Sequence, residues 1–133
     1  MRIFDNELIR IINLVENLTN VNVKDVVMFE NVVYIVVEKN QRAKILPLIG
    51  ILRKVLNKEI KILEYSSNVF EFLKELIPFV NFARIKTHNG NKVIEIGINK
   101  VYKGIVYGRN KRKLRLYKTF LERMYKIDDI KII

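Results

Sequence analysis

The sequence predicts an α+β fold made of two αββααβ units packed in tandem, the first over residues 1–65 and the second over residues 66–133. Three observations carry this expectation. The order helix, strand, strand, helix, helix, strand can be read twice from the apolar periodicity. Half of the 133 residues are apolar, enough for each small unit to build a core. No low-complexity stretch separates the halves at Ser66-Ser67, so the units are expected to pack rigidly rather than swing on a linker.

The elements follow in order. Asp5 or Asn6 can cap a helix whose apolar positions Leu8, Ile11, Ile12, Val15 and Leu18 recur at helical spacing. Two β-rich runs come next, Val21 to Phe29 and Val32 to Val37, split only by Glu30-Asn31, which reads as a hairpin. From Arg42 to Asn57 the helical period returns, interrupted at Pro47 and Gly50, so two short helices are expected. A strand from Glu59 to Tyr65 closes the first unit.

The second unit opens with Asn68 and Glu71 at capping-box spacing, ahead of Val69, Phe72, Leu73 and Leu76 and a stop at Pro78. Strands Phe82 to Thr87 and Val93 to Ile98 flank His88-Asn89-Gly90-Asn91, and Asn-Gly there predicts a tight turn with positive φ at both central residues. A short helix is expected over Val101–Tyr107, and a longer one over Arg112–Tyr125 with Leu114, Tyr117, Leu121 and Met124 facing the core. Ile127 to Ile133 makes the last strand, and its Ile130-Lys131-Ile132 echoes Ile60-Lys61-Ile62.

Charge narrows the function. Twenty-five basic residues against fourteen acidic ones give +11 and a pI near 9.9. Between Lys100 and Lys126 ten basic residues face a single acid, Glu122, a local +9 that leaves +2 for the other 106 residues. A basic proteome would spread its charge. A patch of this kind points to a polyanionic partner. There is no cysteine and one histidine, His88, so disulfides, thiolate metal sites and cysteine nucleophiles are excluded. His88 reads as a solvated loop residue, Asp128-Asp129 as the start of a strand, and no grouping of nucleophile, acid and base appears. The reading is of a non-enzyme without metal, cofactor or small-molecule substrate. The apolar runs are too short to cross a bilayer and the first residues do not form a signal peptide, so no membrane role is expected and the expected location is cytoplasmic.

The candidate site lies where the two helices of the second unit meet. Gly104-Ile105-Val106-Tyr107-Gly108-Arg109-Asn110-Lys111 places a glycine and a basic turn ahead of a helix N-terminus, where unpaired N–H groups and the dipole favour phosphate oxygens. Gly108 permits close approach of a nucleic-acid backbone. Lys111, Arg115 and Lys118 recur at i, i+4 and i+7, and Arg112 and Lys113 add to the same cationic end. An adjacent apolar platform of Ile94, Ile96, Ile98, Ile105 and Val106 is expected to receive bases, and Tyr102 and Tyr107 are candidates for stacking.

On these residues the chain resembles the archaeal NusA-like transcription factors, which consist of two type II KH domains. The resemblance is carried by Gly104 to Asn110, supported by Leu63-Glu64-Tyr65-Ser66 and Ile127-Asp128-Asp129-Ile130, and spans nearly the whole chain. It implies binding of single-stranded RNA, such as a nascent transcript, by a GxxG loop that clamps about four nucleotides of backbone. It also implies a role in transcription termination or antitermination, with RNA polymerase or elongation factors as further partners. Two departures stand out. The loop is Gly108-Arg109-Asn110-Lys111, with lysine in place of the second glycine. The first unit has no G-x-x-G and is expected to be degenerate, contributing at most phosphate contacts through Arg42, Lys44, Arg53 and Lys54. The competing expectation is a protein-interaction module of the transcription or translation machinery that has lost RNA.

Overall fold

The computed structural model describes residues 6–77 and 79–133. Asp5 and Pro78, to which the sequence assigns a cap and a stop, lie outside the described residues. Two compact units divide between Ser67 and Asn68. Among the described residues the strands form two three-stranded sheets, one in each unit, and the fold is mixed α and β.

In the first unit, helix α1 (Asn6–Thr19) precedes strands β1 (Val23–Phe29) and β2 (Val32–Val37). The hairpin closes at Phe29 opposite Val32, with Glu30 at φ 55°. Helix α2 (Arg42–Ile45) is followed by a 3₁₀ turn at Leu46–Leu48 and helix α3 (Ile49–Leu56), then strand β3 (Glu59–Glu64). The break therefore sits around Pro47, which cannot donate to a helical ladder, whereas Gly50 stays helical inside α3. Strand β2 is central, antiparallel to β1 and parallel to β3, which explains its unbroken apolar run Val-Val-Tyr-Ile-Val-Val. Ile11 and Val15 of α1, Ile45 of α2 and Leu52 of α3 close the core over Val33, Ile35, Val37, Ile60 and Ile62.

The second unit repeats this order with α4 (Val69–Leu76), β4 (Val80–His88), β5 (Asn91–Ile98), α5 (Lys103–Tyr107), α6 (Arg112–Tyr125) and β6 (Asp129–Ile132). The Asn68 side chain caps α4, accepting from the Phe70 N–H at 2.9 Å. Asn89 and Gly90 turn the β4–β5 hairpin with φ of 51° and 83°, the positive values that Asn-Gly was expected to take. Strand β5 is central, antiparallel to β4 and parallel to β6. Phe72 lies edge-on to Phe120, with ring centroids 6.0 Å apart, and this pair joins Leu73, Leu116 and Leu121 in the core.

Two corrections concern the second unit. The buried stripe of α6 is Leu116, Tyr117, Phe120 and Leu121, whereas Leu114 and Met124 are only half-buried. Ile94, Ile96, Ile98 and Val106 are buried at 6% exposure or less and so belong to the core rather than to an open platform. The three isoleucines are inaccessible because β5 is the middle strand, whose isoleucine face is covered, and Val106 is the buried residue of α5.

The other face of β5 carries a charged side chain. Glu95 is almost covered, and its Oε1 accepts from Arg84 Nε at 2.6 Å with Lys86 Nζ at 3.4 Å. The Arg84 hydrogen bond holds the Glu95 carboxyl below its ordinary value, with the nearby Lys86 and Arg84 charges assisting, against the opposing effect of desolvation. Two residues on, the Phe82 ring lies on Gly97, where any Cβ would fall on the ring.

Candidate nucleic-acid interface

The turn between α5 and α6 is built from three residues with positive φ, Gly108, Asn110 and Lys111. Helix α5 ends as the Gly108 N–H reaches the Gly104 carbonyl at 3.1 Å. Gly108 then takes φ 71° and ψ 177°, a region essentially reserved for glycine. A Cβ there would also lie 2.8 Å from Lys113 Cγ and 3.2 Å from the Lys113 backbone nitrogen. Glycine is thus demanded by the turn itself, not only by the approach of a ligand. Asn110 (φ 54°, ψ 31°) and Lys111 (φ 59°, ψ 27°) follow in the left-handed region, and α6 begins at Arg112.

This geometry leaves the N-terminus of α6 open. No side chain caps it at Lys111 and no acid stands in its first turn, so the positive end of a 14-residue helix meets four cations of sequence, Arg109, Lys111, Arg112 and Lys113, all exposed. Arg115 folds back and donates from Nη2 to the Asn110 carbonyl at 2.9 Å, tying the turn to the first turns of α6. Lys111 Nζ stands 5.9 Å from the Tyr107 ring centre, at the limit of a cation–π contact.

Lysine at a left-handed position carries strain that glycine would not. Lys111→Gly, which also restores the second glycine of the loop, is expected to stabilise the protein by about 1 kcal/mol, seen as a higher urea midpoint with an unchanged slope.

An open depression of about 300 Å³ runs beside the turn, lined by Asn110, Lys111, Leu114, Arg115, Lys118, Asp129 and Ile130. Its apolar members are Leu114 of α6 and Ile130 of β6, and its cations come from the turn and from α6. Of the residues that the sequence singles out, the structure gathers Asn110, Lys111, Arg115 and Lys118 here. Arg109, Arg112 and Lys113 stay on the turn outside the depression, and Lys113 lays its stem along Gly108. Gly104 is exposed on α5 with open space where a Cβ would be.

Three lining residues were missed by sequence reasoning. Leu114 was assigned to the buried stripe, and Asp129 and Ile130 come beside α6 only because β6 returns parallel to β5. The stacking candidates differ in availability. The Tyr102 ring is already stacked on Phe79, 4.1 Å between centres and 6° between planes, while Tyr107 is half-buried. Beside the turn the exposed apolar side chains are Val101 and Ile105, so of the expected platform only Ile105 is open.

The four cations proposed for the first unit are not gathered in this way. The Arg42 N–H donates to Glu64 Oε2 at 3.0 Å and its Nη2 to the Ile62 carbonyl at 3.4 Å, which fastens α2 to β3. Arg53 pairs with Glu59 at 2.7 Å, and Lys44 and Lys54 are exposed. The corresponding surface presents Leu46, Ile51 and Val55, each half exposed or more.

Among the described residues no group of three or more His, Asp or Glu side chains could hold a metal ion, and no helix is long and apolar enough to cross a membrane. His88 ends β4 and is exposed. Asp128 and Asp129 act separately. The Asp128 carboxylate accepts from the Lys92 N–H at 2.8 Å and starts β6 against β5, while Asp129 lines the depression.

Comparison with known proteins gives the chain relatives but no assigned family. No family model matches it. It is 23% identical to a protein of Thermoplasma acidophilum named probable transcription termination protein NusA, over 96% of this chain and 93% of that one. The crystal structure of APE1850 shares the fold with a TM-score of 0.79 at 22% identity, covering 98% of this chain and all of the other.

Proposed function

We propose that the chain is a NusA-like factor of transcription termination or antitermination whose two units are type II KH domains, and that the second unit, residues 66–133, binds single-stranded RNA. One observation carries this reading: the glycine turn, the uncapped start of α6 and the side chains of Lys111, Arg115 and Lys118 converge on a groove with an apolar floor. Phosphates of the nascent transcript sit on the turn from Gly104 and Tyr107 through Gly108, Arg109, Asn110 and Lys111 to Arg112 and Lys113, where backbone donors and cations meet. A base enters the groove against Leu114, with Ile130 buried behind it. The relative from Thermoplasma acidophilum supports the assignment to transcription, since the similarity runs the length of both chains. No turnover of RNA, no cofactor and no small-molecule substrate enter this reading, and it places the protein in the cytoplasm.

The first unit is read differently. Two of its four candidate cations are spent on internal contacts, and Leu46, Ile51 and Val55 are open to solvent at the place equivalent to the basic turn. These observations favour a protein-contacting role there, with RNA polymerase or an elongation factor as the class of partner, rather than a second RNA clamp.

The test is the salt dependence of RNA binding. Four phosphate contacts predict a slope of about −3 in log affinity against log salt, a loss of roughly 50-fold between 50 and 200 mM. Fluorescence anisotropy with short single-stranded oligonucleotides reads it directly. A flat salt response, or no preference for RNA over a neutral polymer at low salt, overturns the reading in favour of a protein-interaction module.

A further inference from the structure

The groove beside α6 contains one residue that a phosphate site has no use for. Asp129 is the only acid among its lining residues, which also include the cations Lys111, Arg115 and Lys118. A carboxylate in a groove that holds a polyanion lowers affinity unless it meets a hydrogen-bond donor on the ligand.

Its local contacts do not account for it. Asp129 Oδ1 accepts from the neighbouring Ile130 N–H at 2.8 Å and stands 3.9 Å from Lys118 Nζ, beyond hydrogen-bond length. The same Lys118 lies 3.9 Å from Glu122, and both partners are substantially exposed, so the pair contributes little. The start of β6 is already fastened by Asp128 on the Lys92 N–H. Asp129 thus lines the groove with a side chain 61% exposed, next to Leu114.

The geometry points to Asp129 as a specificity-determining residue that accepts a hydrogen bond from the exocyclic amino group of a base lying on Leu114, so that the groove selects amino-bearing bases such as cytosine against uracil. This rests on the RNA-binding reading given above. Unstacked bases in single strands are read on their Watson–Crick edges, and a carboxylate is the natural acceptor for the cytosine N4 amino group. Uracil presents a carbonyl oxygen at that position, which faces the carboxylate with like polarity. Its ring N–H lies between two such oxygens and offers a poor alternative. Cytosine and uracil stack alike, so the difference between them isolates this contact.

The experiment compares short oligo(C) with oligo(U) on the wild-type protein and on Asp129→Asn. The amide keeps the size of the side chain and the acceptor for the Ile130 N–H, so the strand start is preserved, but it presents an N–H₂ as readily as a carbonyl. The wild type is expected to bind oligo(C) roughly tenfold more tightly than oligo(U). In Asp129→Asn the affinity for oligo(U) rises, because a negative charge is gone, while oligo(C) also loses its acceptor, so the ratio falls to about twofold or less. Loss of charge alone moves both ligands equally, so the ratio is the readout that a purely electrostatic role leaves unmoved. Tight binding of both oligonucleotides with the same ratio in the wild type and the variant overturns the inference and leaves the RNA-binding reading intact. Failure of the wild type to bind either at low salt overturns that reading and this inference together.

Discussion

The double replacement Arg109→Glu with Lys111→Glu is expected to weaken binding of single-stranded RNA about 100-fold or more while leaving the protein fully folded. Both side chains are exposed, and neither is held by a carboxylate among the described residues. Each reversal removes a charge-assisted contact worth about 1.4 kcal/mol, a factor of ten, and adds repulsion between carboxylate and phosphate. Stability moves the other way or not at all, since acids at the start of α6 complement its dipole. Filter retention or anisotropy titration measures the first effect and a thermal melt the second. A melt that stays put beside an abolished titration ties the loss to the surface. An unchanged titration would favour the reading in which the basic surface meets an acidic protein.

The second large effect falls on the fold. Gly108→Ala is expected to destabilise the protein by about 2 kcal/mol, because an alanine cannot adopt φ 71° with ψ 177° without strain and its methyl meets Lys113 at 2.8 to 3.2 Å. Shift of the urea midpoint reads this term. RNA affinity falls as well, since the turn can accommodate the methyl only by rotating the peptide that orients Arg109 and Asn110. Gly104 offers the contrast, because a Cβ there meets nothing within 4 Å. The two glycines of one motif thus do different work. Gly108 holds a conformation, and Gly104 keeps a surface bare.

Much of this architecture was legible from residue order alone, for physical reasons that can be named. The Asn89-Gly90 hairpin was readable because few residues tolerate two consecutive positive φ values, and the span of α6 because Arg112 to Tyr125 keeps one helical period without interruption. The phase of that helix was not. Leu114, Leu116, Tyr117, Phe120, Leu121 and Met124 spread over an arc of about 160°, wider than the stripe that is buried, so periodicity admits two neighbouring stripes, and the packing of Phe72 against Phe120 selects one. Placing Ile94, Ile96 and Ile98 in the open failed for a related reason. Whether an isoleucine run is platform or core depends on which strand is central, a property of long-range pairing. The cationic turn was visible in sequence, whereas its opposite wall was not, because Asp129 and Ile130 reach it through β6.

That second wall has a consequence of its own. Strand β6 has four residues, pairs only with β5, and is tied to it across 36 positions of chain by Asp128 and Lys92. Short peripheral strands fray at lower free energy than the sheet they border. When β6 detaches, the depression loses Asp129 and Ile130 while the cations of α6 stay in place. A strand of RNA seated there stabilises only the closed form, so its occupancy and the opening of β6 are linked by mass action. Nucleotide loading should therefore slow amide exchange along Asp129–Ile132 more than anywhere else in the second sheet.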